Sequence, residues 1–247
     1  MTKPRPLIDR IEQFLEIERS IYGEFSVPEY SEPELSTSAD RAHGELQTQP
    51  AEPTPIAGCS TLDELRSLCE QTDTLRTDLA DTRLVFGSGN PQADLMVIGE
   101  APGEQEDREG VPFVGAAGQL LTKILAAIKF DRDEVYITNI LKHRPPNNRN
   151  PKPEEIAASL PYLERQIELI APKIILGLGR IAGSALLGEE IPLKQMRGHV
   201  HQFHNIELMI TYHPAALLRN QQWKRPAWED VQAVRQRFDE LTAGRES

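Results

Sequence analysis

Four short apolar runs set the limits on this fold: "ADLMVIGE" (93–100), "EVYITN" (134–139), "PKIILGLG" (172–179) and "IELMITY" (206–212). Each is too short for a buried helix and rich in Ile, Val, Leu or Met, so each predicts a strand. Between them lie stretches with helical periodicity: "AGQLLTKILAAI" (117–128), "PEEIAASLPYLERQIELI" (153–170) and "RIAGSALL" (180–187). Strands alternating with helices predict a parallel sheet covered on both faces. The expected fold is α/β, a single three-layer domain with a central four-stranded parallel sheet flanked by helices. Further helices are expected over 61–71 and 224–243. Pro161, inside the 153–170 pattern, predicts a kink or a break there. No internal repeat is evident.

The chain of 247 residues carries a formal net charge of −11. Residues 1–57 hold five Lys/Arg against eleven Asp/Glu, a net of −6, which leaves −5 for the other 190 residues. An acidic total does not exclude a nucleic-acid partner, since what matters is where the positive charge sits. Leu7, Ile8, Ile11, Phe14, Leu15, Ile21 and Tyr22 form one helical stripe, so residues 1–22 are expected to hold an amphipathic helix, which suits a protein partner or the chain's own domain. Residues 23–57, rich in Ser, Pro, Glu and Thr, read as a disordered acidic linker, and 58–243 as the folded domain. There is no apolar run of membrane length, and the start lacks a signal-peptide core, which predicts a cytoplasmic, nucleoid-associated protein with no membrane contact. Cys59 and Cys69 are too few for a disulfide framework and are expected to be reduced and structural.

In an open parallel sheet, ligands bind beyond the carboxyl ends of the strands. The unusual residues follow those ends: "GEAPGEQEDREGVPFVG" (99–115), "TNILKHRPPNNRNP" (138–151), "GLGR" (177–180) and "YHPAALLRN" (212–220). Four loops from one sheet edge converge on one cleft. The glycines of the first loop allow close backbone approach to a flat ligand, and Glu100, Glu104, Glu106 and Asp107 bring carboxylates to it. Phe113 is either core or a platform on which a base stacks. Asn139 ends a strand, where a buried amide needs the complementary donors and acceptor of a nucleobase edge. His213 ends another, as a structural or a catalytic imidazole. Lys142, Arg144 and Arg149 are expected along this edge, against DNA phosphates. "GLGRIAG" lacks the acid that a dinucleotide site needs at the end of the next strand, which excludes a nicotinamide cofactor. No nucleotide P-loop, paired zinc-ligand motif or nucleophile elbow is present, so no metal is expected.

"GEAPGEQEDREGVPFVGAAGQLL", "VYITNILKHRPPNNRNPKPEEI", "ILGLGRIAGSALLG", "MRG" (196–198) and "TYHPAALLRN" occur in the order and spacing of the family 4 (thermostable-type) uracil-DNA glycosylases, which this chain resembles over about residues 62–238. The resemblance implies the uracil-DNA glycosylase fold. It also implies a monomeric enzyme that flips uracil out of single- or double-stranded DNA and hydrolyses its N-glycosidic bond, initiating base excision repair. It places Phe113 on the base, with Gly99, Ala101 and Glu106 also lining the uracil pocket. Asn139 falls on the amide edge, His213 on the departing base, Glu100 on the water, and Glu106 against a thymine methyl. Leu217 or Leu218 becomes the wedge that enters the duplex, with Arg197 and Arg219 on the backbone. A DNA-binding or replication-docking module without catalysis, and a glycosylase for other deaminated bases, are the alternatives.

The chain departs from that family at the four cysteines that bind a 4Fe–4S cluster. Thr74, Thr77, His143 and Ser159 stand at those positions. Iron–sulfur clusters need thiolates, so no cofactor is expected. Hydrogen bonds among those four side chains, or plain packing, are expected to tie the segments together. Nor does "RPPNNRNPKP" carry the Arg/His-rich insertion of the crosslinking relatives, so covalent trapping of DNA is not expected.

Overall fold

A computed structural model of the chain describes residues 55–78 and 81–243. The amphipathic helix expected over 1–22 and the linker up to residue 54 lie outside them. Pro55–Gly58 is a helical turn, α1. There follow α2 (Leu62–Glu70), β1 (Ser88–Gly89), β2 (Leu95–Gly99), α3 (Glu104–Glu109), α4 (Ala116–Ala127) and β3 (Tyr136–Asn139). The chain continues through α5 (Pro153–Ile170), β4 (Ile174–Leu178), α6 (Gly179–Leu187), α7 (Leu193–Met196), β5 (His201–Phe203), β6 (Ile206–Thr211), α8 (Pro214–Arg219) and α9 (Lys224–Ala243).

The sheet has six strands in the order β1-β3-β2-β4-β6-β5. Its four central strands are parallel, as their apolar runs predict. The two edge strands are antiparallel, which makes the sheet mixed rather than purely parallel. Short edges of this kind leave few unpaired backbone groups open to a second chain. Because side chains alternate along a strand, each central strand feeds two cores. Leu95, Val97, Ile137, Leu176 and Met209 pack with Leu121, Leu125, Val231 and Val234 of α4 and α9. Met96, Ile98, Tyr136, Ile175, Leu208 and Ile210 pack with Leu163, Ile167 and Leu186 of α5 and α6. The result is three layers. A third cluster, with Leu65, Cys69, Leu75, Phe86 and Tyr162, docks α2 onto α5.

The expected break at Pro161 does not occur, and α5 runs unbroken from Pro153 to Ile170. Pro161 and Ala157, whose carbonyl loses its helical donor, are both exposed, so water can take the place of the missing bond. Strands β2 and β4 are neighbours whose outgoing connections lead to opposite sides of the sheet, toward β3 and β6. The crevice beyond their carboxyl ends is where such a sheet binds its ligand. None of the described helices is long and apolar enough to cross a membrane.

Candidate active site

The register of β2 against β3 sets Gly99 opposite Asn139 at the carboxyl end of both strands. A Cβ on Gly99 would collide with Asn139 Oδ1 and with the ring of Phe113, so the glycine is what lets the three meet. Asn139 is buried, and its Oδ1 has no hydrogen-bond partner. A buried acceptor without a donor is costly in a folded protein, and a ligand N–H in the cleft removes that cost. Phe113 is also buried, with its ring centroid 5.5 Å from that of His213 at the end of β6. The β4–α6 turn closes the other side. There Gly179, at φ +91, lies so close to His213 that a Cβ would come within 3.1 Å of the histidine's own.

Phe113 holds its place against backbone strain, since its φ of +53 is rare for a residue with a side chain. Glu106 secures the loop after it, accepting from the N–H groups of Val114 (3.0 Å) and Gly115 (2.9 Å) and, with its other oxygen, of Gly103 (3.2 Å). Arg132 donates to the carbonyl of Pro112 at 2.6 Å, and Gly118 leaves room for the Phe113 backbone. Glu106 thus fixes the pocket wall through the main chain. Ala101, on the same loop, is partly exposed.

His213 is the N-cap of α8, and its Nδ1 accepts from the N–H of Ala215 at 3.2 Å. Burial, reinforced by the Arg219 guanidinium, pushes its pKa down to about 4, while Glu106 opposes the shift. The ring is therefore neutral at pH 7, and with Nδ1 accepting, its one hydrogen sits on Nε2. Glu100 follows β2 directly. Burial raises its carboxyl to about 7 against the opposing charge of Arg180. A neutral imidazole after β6 and a carboxyl that ionises near neutrality after β2 thus both stand just beyond the carboxyl ends of central strands.

The expected DNA contacts divide sharply. Lys142 is fully buried and cannot meet a phosphate. Its Nζ donates to Thr138 Oγ1 (2.9 Å), the Asn139 carbonyl (2.9 Å) and Gln166 Oε1 (2.5 Å). Thr138 already gives its own hydrogen to the Phe86 carbonyl, so all three partners act as acceptors and only the ammonium satisfies them. Burial pushes that ammonium down to about 7. Lys142 is thus a brace beneath Asn139. Arg149 is held by Glu155 (2.6 Å) and Asp78 (3.0 Å), which also pairs with Lys152 at 2.7 Å. Arg197 binds Asp230 with two nitrogens (2.6 and 3.0 Å) and donates to Pro226 and Tyr212, so it is internal too. Leu217 is buried, whereas Leu218 is 45% exposed. Arg219 is exposed beside it. Arg144 donates to Asn148 and lies 3.8 Å from Glu104 at the rim.

The four positions of the family's cluster cysteines do not fit a cluster. Thr77 donates to the Arg144 carbonyl (2.5 Å), His143 Nδ1 meets Thr82 Oγ1 (3.0 Å), Thr74 is exposed and the buried Ser159 hydroxyl has no partner. No hydrogen bond joins these four side chains to one another, and only Thr77 and His143 bond to other groups. Cys59 and Cys69 are both buried, and burial raises the Cys69 thiol to about 11. No group of three His, Cys, Asp or Glu side chains able to hold a metal occurs among the described residues.

Sequence reasoning missed Gly179, Arg180 and Thr82. The first two had a signal, a glycine in the strand-to-helix turn of "GLGRIAG"; Thr82, far in sequence from His143, had none.

The family model described as the uracil DNA glycosylase superfamily matches residues 86–232. A type-4 uracil-DNA glycosylase of Sulfurisphaera tokodaii is 46% identical over 164 residues, covering 63% of this chain and 74% of that protein. One from Archaeoglobus fulgidus is 41% identical over 174 residues, or 67% and 86% of the two chains. Another, from Thermotoga maritima, is 41% identical over 158 residues, or 62% and 82%. With a family model matched over more than half of the chain, and with relatives matched over most of their length, the chain belongs to the uracil DNA glycosylase superfamily and, within it, to the type-4 family.

Proposed function

We propose that this chain excises uracil from DNA by hydrolysing the C1′–N1 bond, with Asn139, Phe113, His213 and Glu100 as the working side chains. The observation that carries the reading is the orphaned Oδ1 of Asn139, buried beside Phe113 and Gly99. Uracil offers an N3–H donor to that oxygen and carbonyl acceptors to an amide N–H, whereas cytosine offers an acceptor at N3. A base must leave the helix to reach this position, and stacking on Phe113 offsets part of the cost.

As the C1′–N1 bond breaks, its electron pair goes to uracil and negative charge spreads onto O2. The Nε2–H of neutral His213 stabilises that charge without requiring a proton to be bound first. Water adds to C1′, and the Glu100 carboxylate takes its proton. One preorganised donor at developing charge is typically worth about 2.7–4 kcal/mol. His213→Ala and Asn139→Ala should each slow single-turnover release of uracil from a single-stranded oligonucleotide by roughly a hundredfold or more. Near-native rates in either variant would remove the assignment.

Arg219, Arg144 and Leu218 form the duplex contact in this reading, and Glu106 and Ala101 line the pocket without touching the reacting bond. The reading also assigns no iron–sulfur cluster to the chain, on the donor set of Thr74, Thr77, His143 and Ser159.

A further inference from the structure

Residues 213–222 carry both His213 and the exposed Leu218 and Arg219, and the two ends of that stretch meet. Trp223 stacks on Tyr212 with centroids 5.1 Å apart and planes 14° from parallel. Arg197 lies 4.3 Å from the centre of the same Tyr212 ring and donates to its hydroxyl at 3.2 Å. Asp230 of α9 holds Arg197 and also accepts from Thr211 Oγ1 at 2.6 Å, one residue before Tyr212. We propose that Arg197, Tyr212 and Trp223 form a clasp that fixes the loop bearing Leu218 and Arg219 before DNA arrives, making Trp223 a positioning residue for opening the duplex. This rests on the reading of α8 as the element that enters DNA.

His213 does not depend on the clasp alone, since Phe113 and Gly179 hold it from the other side. The far half of the loop has fewer supports. Leu217 is buried, and Asn220 caps α8 through Ala216, but beyond them the return to β6 runs through Trp223. A loop that is already ordered loses less entropy when it wedges a base pair apart. A single strand has no pair to open, so the clasp matters little there.

The test compares uracil release from single- and double-stranded oligonucleotides by the full chain. Trp223→Ala should lower kcat/KM on the duplex about tenfold, as expected for losing a ring stack, and change it less than about threefold on the single strand. Trp223→Phe should restore the duplex rate. Trp223→Leu, which keeps apolar volume without the ring stack, should follow Ala and serves if Ala lowers the melting temperature. Equal losses on both substrates, or no loss on either, overturn the clasp. Failure of the unmodified protein to release uracil from either substrate overturns the glycosylase reading instead.

Discussion

Glu100 and His213 are displaced from their ordinary titration in opposite senses, and for one reason: burial disfavours whichever form is charged. In the proposed mechanism the charged form of Glu100 and the neutral form of His213 do the work, so single-turnover rate should climb with pH through about 7 and then level. For His213 the neutral form is useful, and at about 4 it is already complete before that climb begins. Glu100→Gln should abolish the limb and lower the plateau by about a hundredfold or more. A rate independent of pH across neutrality in the unmodified protein would remove Glu100 as the base. Each shift also has a stability side. The raised Glu100 favours the fold at low pH and loses that contribution as pH rises through about 7. The depressed His213 favours the fold above 6.5 and loses its contribution as pH falls toward about 4. The placing of Asn139 and His213 at strand carboxyl ends was legible in the sequence, because the apolar runs before them mark where the strands stop. Lys142 was not, because its burial depends on Gln166, twenty-four residues away on another element.

At the scale of elements, the loop after β3 shows how a basic sequence and a basic surface differ. Its cations drew a phosphate reading, yet Lys142 points inward and Arg149 ties the loop to α5 through Glu155 and to Asp78 before β1. Arg149→Met should therefore lower the melting temperature while leaving the salt dependence of DNA affinity unchanged. Arg219→Met, on the exposed end of α8, should reduce the slope of log K against log salt by about one, the signature of a lost phosphate contact. Measuring both slopes separates the roles, and a reduced slope for Arg149→Met would return it to the DNA face. The four central strands could be read because each carries a run of apolar residues buried on both faces, unbroken in β2 and β4 and ended by Thr138 and Asn139 in β3 and Thr211 in β6. The edges β1 and β5 could not, since two or three residues such as Ser88–Gly89 have no period to detect.

For the whole molecule, the question is what holds together the segments that a cluster joins in relatives. Three kinds of tie cross that region. Thr77 reaches the Arg144 carbonyl and His143 reaches Thr82. Asp78 gathers Arg149 and Lys152. Beneath them, Leu65, Cys69, Leu75, Phe86 and Tyr162 form a continuous apolar cluster, with the Tyr162 hydroxyl 3.3 Å from Thr72. The ion pairs at Asp78 are exposed and contribute little by themselves, so most of the stabilisation comes from the apolar cluster and the buried His143–Thr82 pair. None of these ties is sensitive to oxidants or chelators. Purified protein should therefore hold far less than one iron per chain, and its melting temperature and uracil release should be unmoved by EDTA or ferricyanide. About four irons per chain with broad visible absorbance would contradict this. Replacing Tyr162 by Ala should lower the melting temperature by opening a cavity in the cluster of Leu75 and Phe86, at about 3–5 kcal/mol as for other buried aromatics, and an unchanged melting temperature would remove the apolar cluster as the main tie between these segments.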